Sequence, residues 1–171
     1  MVVIRFILPA VQWLWSWLPL ALAPPVHSHV HHHHHGDDKP LDKAFLLWNS
    51  PDMEWEVEYS DEFEGWWNSL SEAEQEDVSA VVGVLQDKGP SLRRPHVGPI
   101  ATSRHPNMKE LLIQHAGRPY RVLFAFDPRR YAILLIGGDK TGNARLYEEF
   151  VPKADDLYDG HLAQLRREGK I

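Results

Sequence analysis

The sequence contains no cysteine, so disulfide bonds and thiol chemistry are excluded for this chain. Residues 53–171 also lack a cluster of metal-ligating side chains and a Ser/His/Asp set for nucleophilic catalysis. Their glycine-rich run at 137–142 contains a lysine, but its spacing differs from that of the phosphate loop GxxxxGK(S/T). We therefore expect no cofactor, and any chemistry has to come from cationic and acid–base side chains.

The first 52 residues differ in composition from the rest of the chain. Residues 2–23 are mostly apolar, and residues 27–35 hold seven histidines, five of them in succession. The apolar run is typical of a signal peptide or a short membrane span, and the histidine run of a linker, a tag or a loose metal chelator. If translation begins at Met53, neither segment belongs to the protein. We expect residues 1–52 to be a disordered extension or a misassigned start, and residues 53–167 to form the domain.

Positive charge is scarce over the whole chain, with 18 lysines and arginines against 24 aspartates and glutamates. This average conceals a separation. Residues 52–90 hold twelve acids and one base, whereas residues 91–145 hold ten bases and three acids. A basic half of this kind favours a polyanionic ligand. The alternative is that the helices are acidic and the strands carry arginines without any role in binding.

Two helices and a strand are predicted for the acidic half. Apolar and acidic residues alternate from position 54 to 59, which indicates an edge or half-buried strand. Ser60 and Ser71 are candidate N-caps, and Glu74 completes a capping box with Ser71. The second helix should end at Gly89. Residues 91–100 look like an ordered loop.

The basic half predicts an antiparallel meander followed by a helix. Apolar runs at 111–113, 122–126 and 131–136 are separated by the turn-prone segments AGRP and DPRR. Residues 144–167 have helical periodicity, with Pro152 expected to break them into two pieces. The order of elements predicts an α+β fold in which the helical hairpin covers one face of the meander.

The strongest candidate for chemistry is a cationic cleft on this sheet. Cleavage of RNA by its own 2′-hydroxyl requires a proton acceptor, a proton donor and positive charge for the developing phosphorane. The candidate catalytic residues are His105, Lys109, Arg121, Lys140 and Tyr147. The candidate RNA-binding residues are Arg104, Arg118, Arg129, Arg130 and Arg145.

Strand alternation limits which of these can meet. Lys109 should face the same way as Leu111 and Ile113, or lie at the rim of that apolar face. His105 could equally be a turn residue, and Arg129 and Arg130 follow an Asp-Pro pair in a turn where they would be solvated. Lys140 lies in a glycine-flanked loop, where side chains are well placed to meet a ligand.

Four segments together resemble the phage-derived branch of the RelE/HigB family, the toxins of type II toxin–antitoxin systems. They are SRHPNMKEL at 103–111, GRPYRVLFAFDPRR at 117–130, GGDKTGN at 137–143 and ADDLYDGHL at 154–162. The resemblance implies a RelE-like fold and a cytoplasmic, metal-independent mRNA endonuclease that acts on translating ribosomes. It also implies a cognate antitoxin, often a helix-turn-helix protein, as partner.

Three residues match positions of the family motifs. Arg121 matches the strand arginine near the scissile phosphate, Lys109 the basic residue before Glu-Leu, and Lys140 the basic residue after the last strand. The family commonly has Lys-Glu-Leu-Arg where this chain has Leu112 in the last position. This departure leaves a second hypothesis, a catalytically weakened protein that binds RNA or antitoxin. A membrane-anchored or exported protein is a third, based only on residues 2–23.

Overall fold

The structure is a computed structural model, and it describes residues 54–171. The predicted extension at 1–52, including the apolar segment 2–23 and the histidine-rich segment 27–35, lies outside the described residues. The strands are β1 (Val57–Tyr59), β2 (Val97–Pro99), β3 (Met108–His115), β4 (Arg118–Phe126) and β5 (Ala132–Asp139). The helices are α1 (Asp61–Ser69), α2 (Glu72–Lys88) and α3 (Leu146–Arg167), with a 3₁₀ turn at Gly89–Ser91.

The five strands form one mixed sheet in the order β1-β5-β4-β3-β2. The meander β3-β4-β5 is antiparallel, as predicted, and β1 pairs with β5 in parallel. The prediction of a plain loop at 91–100 was wrong for its last part, because Val97–Pro99 pairs with β3 as an edge strand. A three-residue strand that contains glycine and proline has no alternating pattern that a sequence could reveal. The α+β class is confirmed.

Local capping fixes both ends of the helical hairpin. The Ser60 side chain accepts a hydrogen bond from the N–H of Phe63 at 3.1 Å, and Ser71 and Glu74 form the predicted capping box. Helix α2 ends at Gly89, whose φ of 52° lies in the left-handed region that favours glycine. The hairpin start and stop signals predicted from the sequence are therefore confirmed.

The sheet has an apolar core on each side. The hairpin face carries Leu111, Ile113, Val122 and Phe124, which pack with α1 and α2. The α3 face carries Met108, Leu123, Ala125, Ile133 and Leu135, which pack with α3. Residues that alternate along β3 and β4 thus belong to different layers.

A β-bulge in β5 changes this alternation. Leu123 and Phe124 are consecutive, yet they pair with Ile136 and Leu134, so Leu135 is the extra residue. Beyond the bulge, Gly137 faces the hairpin, where an added Cβ would lie 2.1 Å from the indole of Trp66. Its neighbour Gly138 faces α3, and there a Cβ would lie 2.6 Å from the ring of Phe150. Two aromatic rings therefore reach the backbone of β5 from opposite sides.

Helix α3 runs unbroken through Pro152, so the predicted break was wrong. Proline removes the backbone hydrogen bond to residue 148, but Pro152 is exposed and water can solvate the freed carbonyl. Val151 and Ala154 on either side are buried against the sheet and keep the helix in register. Among residues 54–171 no helix combines the length and the hydropathy needed to cross a membrane.

Candidate active site

The first turn of α3 places a tyrosine over the end of the sheet. Leu146 is fully buried, and Phe150 packs on Gly138 one turn later. These two contacts anchor the start of the helix. Tyr147 therefore projects beside strands β3 and β4, where its hydroxyl donates a 2.6 Å hydrogen bond to Oε2 of Glu110.

Four residues meet here, and we name them the tyrosine cluster: Glu110, Arg121, Lys140 and Tyr147. The Nε of Arg121 lies 3.5 Å from Oε2 of Glu110. The Nζ of Lys140 lies 5.4 Å from the centroid of the Tyr147 ring, within the range of a cation–π contact. The cluster joins two cations, one carboxylate and one phenol.

Strand register explains why Glu110 and Arg121 meet. Glu110 pairs with Leu123, and Leu112 pairs with Arg121, so Glu110 and Arg121 are diagonal neighbours on the α3 face. Lys140 follows β5 directly, and its N–H donates to the carbonyl of Pro119 at 2.8 Å. This bond fixes the lysine backbone next to the start of β4.

The electrostatics of the cluster keep the phenol protonated. Burial and the hydrogen bond to Glu110 raise the pKa of the Tyr147 phenol, and Arg121 acts in the opposite direction. Nη1 of Arg121 donates to the carbonyl of Tyr120, while its buried Nε has no hydrogen-bond partner among the described residues. The buried Nε therefore faces Glu110 as one half of an ion pair and not as a hydrogen-bond donor.

A further cation, Arg94, was missed by the sequence prediction. A Cβ placed on Gly98 would lie 3.1 Å from Oε1 of Glu110 and 3.7 Å from Nη2 of Arg94, so both side chains border the same small space above β2. The sequence predicts an ordered loop at 91–100, but not the pairing of its last residues with β3. Arg94 can be placed next to Glu110 only when the pairing of β2 with β3 is known.

Lys109 does not join the tyrosine cluster. It pairs with Phe124 and faces the hairpin side, as the alternation with Leu111 and Ile113 predicted. Burial, together with the charge of Arg93, lowers the pKa of its ammonium group. The predicted convergence of Lys109 with Arg121 and Lys140 was therefore wrong, because successive strand residues point to opposite faces.

Arg104 and His105 contact the middle of α3 instead of its start. His105 Nε2 lies 2.8 Å from Oδ1 of Asp159, and Arg104 pairs with Asp156 at 2.8 Å and with Asp159. Asp159 follows Tyr147 by twelve residues, which is about 18 Å along a helix. The structure thus separates this pair from Arg121 and Lys140, and the grouping of His105 with them was wrong.

Arg129 belongs to a second group, the histidine cluster, formed by Glu58, Asp127, Arg129 and His161. Arg129 Nη2 lies 2.8 Å from Glu58 and 2.6 Å from Asp127, and His161 Nε2 lies 2.9 Å from Asp127. The Arg129 side chain is only 16% exposed. The interpretation of Arg129 as a solvated turn residue was therefore wrong, and its assignment to RNA binding stays a prediction.

The remaining predicted arginines differ in their surroundings. The guanidinium of Arg130 lies 4.7 Å from the centroid of the Trp55 ring, on the side of the sheet near β1. Arg118 pairs with Asp139 at 2.5 Å, and Arg145 pairs with Glu148 at 3.0 Å. Arg145 precedes Leu146 and so lies beside the start of α3, whereas Arg118 lies over the ring of Tyr120, which belongs to the hairpin face of the sheet. No group of three metal-ligating side chains occurs in the part of the chain that the structure describes.

Comparison with known proteins gives two kinds of match. Residues 65–159 match the family described as phage derived protein Gp49-like (DUF891). The chain is 45% identical over 101 residues to HigB2 and 44% identical over 101 residues to HigB3, both named as candidate toxins of Mycobacterium tuberculosis (strain ATCC 25618 / H37Rv). Each match covers 58% of this chain, and the matched part amounts to 50% of the length of HigB2 and 87% of the length of HigB3. The chain thus spans half the length of HigB2.

Proposed function

This chain belongs to the Gp49-like family of phage-derived proteins and is HigB-like in sequence, and from this premise we propose that it is the toxin of a type II toxin–antitoxin system. We propose further that it is an endoribonuclease that cleaves mRNA on the ribosome and so inhibits translation. The observation that carries this proposal is the grouping of Arg121, Lys140 and Tyr147 at the start of α3. Its action on mRNA would take place in the cytoplasm.

The proposed reaction needs no metal or cofactor. The ribose 2′-hydroxyl attacks the adjacent phosphorus, the bond to the 5′-oxygen breaks, and the products are a 2′,3′-cyclic phosphate and a 5′-hydroxyl. Negative charge develops on the phosphoryl oxygens during attack. Arg121 and Lys140 supply the opposing positive charge.

Tyr147 is the proposed proton-handling residue. Of the three candidates His105, Lys109 and Tyr147, only the tyrosine lies beside Arg121 and Lys140. The raised pKa of its phenol favours the neutral form, which carries both a proton to give and lone pairs that can accept one. Arg94 and Arg145, which lie near the cluster, would bind neighbouring phosphates of the RNA.

A cognate antitoxin is the expected partner, since toxins of this type are held inactive by one. An antitoxin that blocks cleavage would cover the tyrosine cluster, whose excess of cations favours acidic side chains in the partner. We expect the antitoxin to be a helix-turn-helix protein.

One observation favours a second candidate function, a weakened toxin that binds RNA or antitoxin without efficient cleavage. Leu112 pairs directly with Arg121 across β3 and β4, so the arginine that is common in the family at this position would lie next to Arg121. Its replacement by leucine removes one cation from the proposed site. Such a protein would still bind its antitoxin tightly.

Expression of the full chain from a tightly repressed promoter tests the first candidate. Growth and translation should stop on induction, and primer extension should map new 5′ ends in mRNA. Arg121→Ala should abolish both effects, whereas Lys153→Ala, at an exposed lysine elsewhere on α3, should abolish neither. Unchanged translation together with tight antitoxin binding would instead support the weakened toxin.

A further inference from the structure

Glu110 is a buried carboxylate to which the proposed cleavage assigns no role. The residue is 7% exposed, and it projects from β3 towards the start of α3. A carboxylate in this position is costly unless its charge is balanced. Its neighbours are Arg121 from β4, Tyr147 from α3 and Arg94 from the segment before β2, and Lys140 lies over the Tyr147 ring.

The backbone of β2 leaves space for this carboxylate. Gly98 pairs with Glu110, and a Cβ on Gly98 would lie 3.1 Å from Oε1, closer than side chains normally approach. Glycine at this position therefore lets the carboxylate lie over β2 and turn its other oxygen to Tyr147.

The direction of the hydrogen bond determines what Tyr147 can do next. The phenol donates its proton to Oε2 of Glu110 at 2.6 Å, so its oxygen lone pairs face away from the carboxylate. A substrate hydroxyl that approaches the phenol meets an acceptor and not a donor. Burial and Glu110 also raise the pKa of Tyr147, so a free phenolate is scarce at neutral pH and the phenol needs a partner that can take its proton.

We propose that Glu110 is a positioning residue that makes Tyr147 the proton acceptor of the cleavage reaction. The inference rests on the proposed function. In the step, the proton of the ribose 2′-hydroxyl moves to the phenolic oxygen while the phenol proton moves to Oε2 of Glu110. The O2′ electron pair forms the bond to phosphorus, and the bond to O5′ breaks. The departing O5′ takes a proton from the Lys140 ammonium or from water.

Arg121 completes the arrangement because it contacts the same carboxylate oxygen as the phenol, at 3.5 Å. Protonation of Glu110 during the step removes the carboxylate charge beside Arg121. The guanidinium then faces the phosphorane as an unbalanced cation at the moment when negative charge develops there. Proton transfer to Glu110 and stabilisation of the phosphorane are thereby coupled.

Glu110→Gln is the sharpest test, since glutamine keeps the size of the side chain and can accept the phenol hydrogen bond but cannot take the proton. With a short ribosome-bound mRNA as substrate, kcat should fall about 100-fold while KM stays within about threefold. Glu149→Gln, at an exposed position on the first turns of α3, is the matched control and should change neither parameter.

A double-mutant cycle separates action through Tyr147 from a general structural role. If Glu110 acts through the phenol, Glu110→Gln should have almost no further effect in a Tyr147→Phe background. Additive losses in the double variant would overturn the proposal. Glu110→Asp keeps the charge beside Arg121 and should restore part of the activity; equal loss in Glu110→Asp and Glu110→Gln, with both proteins folded at assay temperature, would also overturn it.

A measurement without RNA distinguishes failure of this proposal from failure of the proposed function. The titration of Tyr147, followed by NMR of the Cζ-labelled tyrosines, should move to lower pH in Glu110→Gln, because the carboxylate that raises its pKa is gone. An unchanged titration would overturn the positioning role. A wild type that shows the expected titration yet cleaves no RNA would overturn the ribonuclease function and, with it, the role of the pair in cleavage.

Discussion

The tyrosine cluster and the histidine cluster both contain an arginine and buried carboxylate side chains, but they differ in the ratio of carboxylates to cations. In each cluster an arginine of the basic half pairs with a carboxylate beneath α3. The tyrosine cluster lies near the start of this helix and the histidine cluster near its end. In the histidine cluster two carboxylates, Glu58 and Asp127, face Arg129, and Asp127 also accepts hydrogen bonds from the backbone N–H groups of Arg129 and Tyr131. In the tyrosine cluster one carboxylate faces two cations, and the Nε of Arg121 is left without a hydrogen bond.

We propose that this difference separates an arginine that supports the fold, Arg129, from one that acts on RNA, Arg121. A buried charge that is neutralised by other side chains of the same protein contributes to stability only while all of these side chains are present. A cation in excess of its internal partners can neutralise an incoming phosphate. Mutations should therefore affect stability at the histidine cluster and RNA cleavage at the tyrosine cluster.

The largest expected effect is on stability, from Arg129→Ala. Removal of the guanidinium leaves Glu58 and Asp127 buried without their cation, which should lower the free energy of unfolding by about 3–5 kcal/mol. Urea unfolding followed by circular dichroism measures this loss. The control is Arg145→Ala, which breaks a pair that is 75% exposed on the arginine side and should cost less than about 1 kcal/mol. Equal stability of the two variants would remove the distinction between the clusters.

Lys140→Ala should have the next largest effect, and on activity alone. Loss of one cation that opposes developing negative charge should slow single-turnover RNA cleavage by about 100-fold. The loop position of the lysine should keep the change in unfolding free energy within about 0.5 kcal/mol. Lys153→Ala provides the baseline for both measurements. A large loss of stability without a change in cleavage would reverse the roles assigned to the clusters.

Acid should weaken the histidine cluster by a smaller amount. Burial alone would raise the pKa of Asp127, but hydrogen bonds from His161 and Arg129 outweigh it, and the folded-state pKa lies below the ordinary 3.8. Its contribution to stability is thus present above pH 3.8 and is lost as pH falls through the folded-state pKa. The free energy of unfolding gains about 1.4 kcal/mol for each whole number by which the folded-state pKa of Asp127 lies below its ordinary value.

Urea unfolding between pH 7 and pH 3 checks this prediction. The wild type should lose stability more steeply at the acid end than Asp127→Asn, which has no proton to bind at this position. Parallel curves for the two proteins would mean that the carboxylate is not stabilised in its charged form.

The smallest effect is expected from Gly98→Ala. The added Cβ should displace the Glu110 carboxylate by a few tenths of an ångström and slow cleavage on the order of a few-fold. Gly160→Ala is the matched control, since a Cβ there meets nothing within 4 Å. That control should keep full activity and gain about 0.5–1 kcal/mol of stability from helix propensity. Equal activity of the two variants would argue against a tightly positioned carboxylate.

Much of the fold could be predicted because its signals are local. Ser60 and Ser71 cap helices through contacts three residues away, and the meander follows from runs and turns that adjoin in sequence. Strand β2 could not be predicted, because Val97–Pro99 is defined by its pairing with β3 and not by its own pattern. The bulge at Leu135 was equally hidden, since the apolar run continues through it.

The candidate site was predictable only in part. Arg121, Lys140 and Tyr147 were among the predicted residues, and the alternation that sends Lys109 to the opposite face was visible in the sequence. The contact between Glu110 and Tyr147 joins residues 37 apart and depends on how α3 docks, which periodicity does not reveal. The same holds for Arg129, whose turn gives no sign that Glu58 lies 71 residues away along the chain and within 2.8 Å.

The central claim is that the tyrosine cluster cleaves RNA through the 2′-hydroxyl. The most direct test adds the purified full chain to ribosomes that carry a defined mRNA and identifies the new ends by mass spectrometry. We predict 2′,3′-cyclic phosphate and 5′-hydroxyl ends for the wild type, and intact mRNA with Arg121→Ala. Intact mRNA with the wild type, or cleavage by Arg121→Ala at the rate of the wild type, would contradict the account.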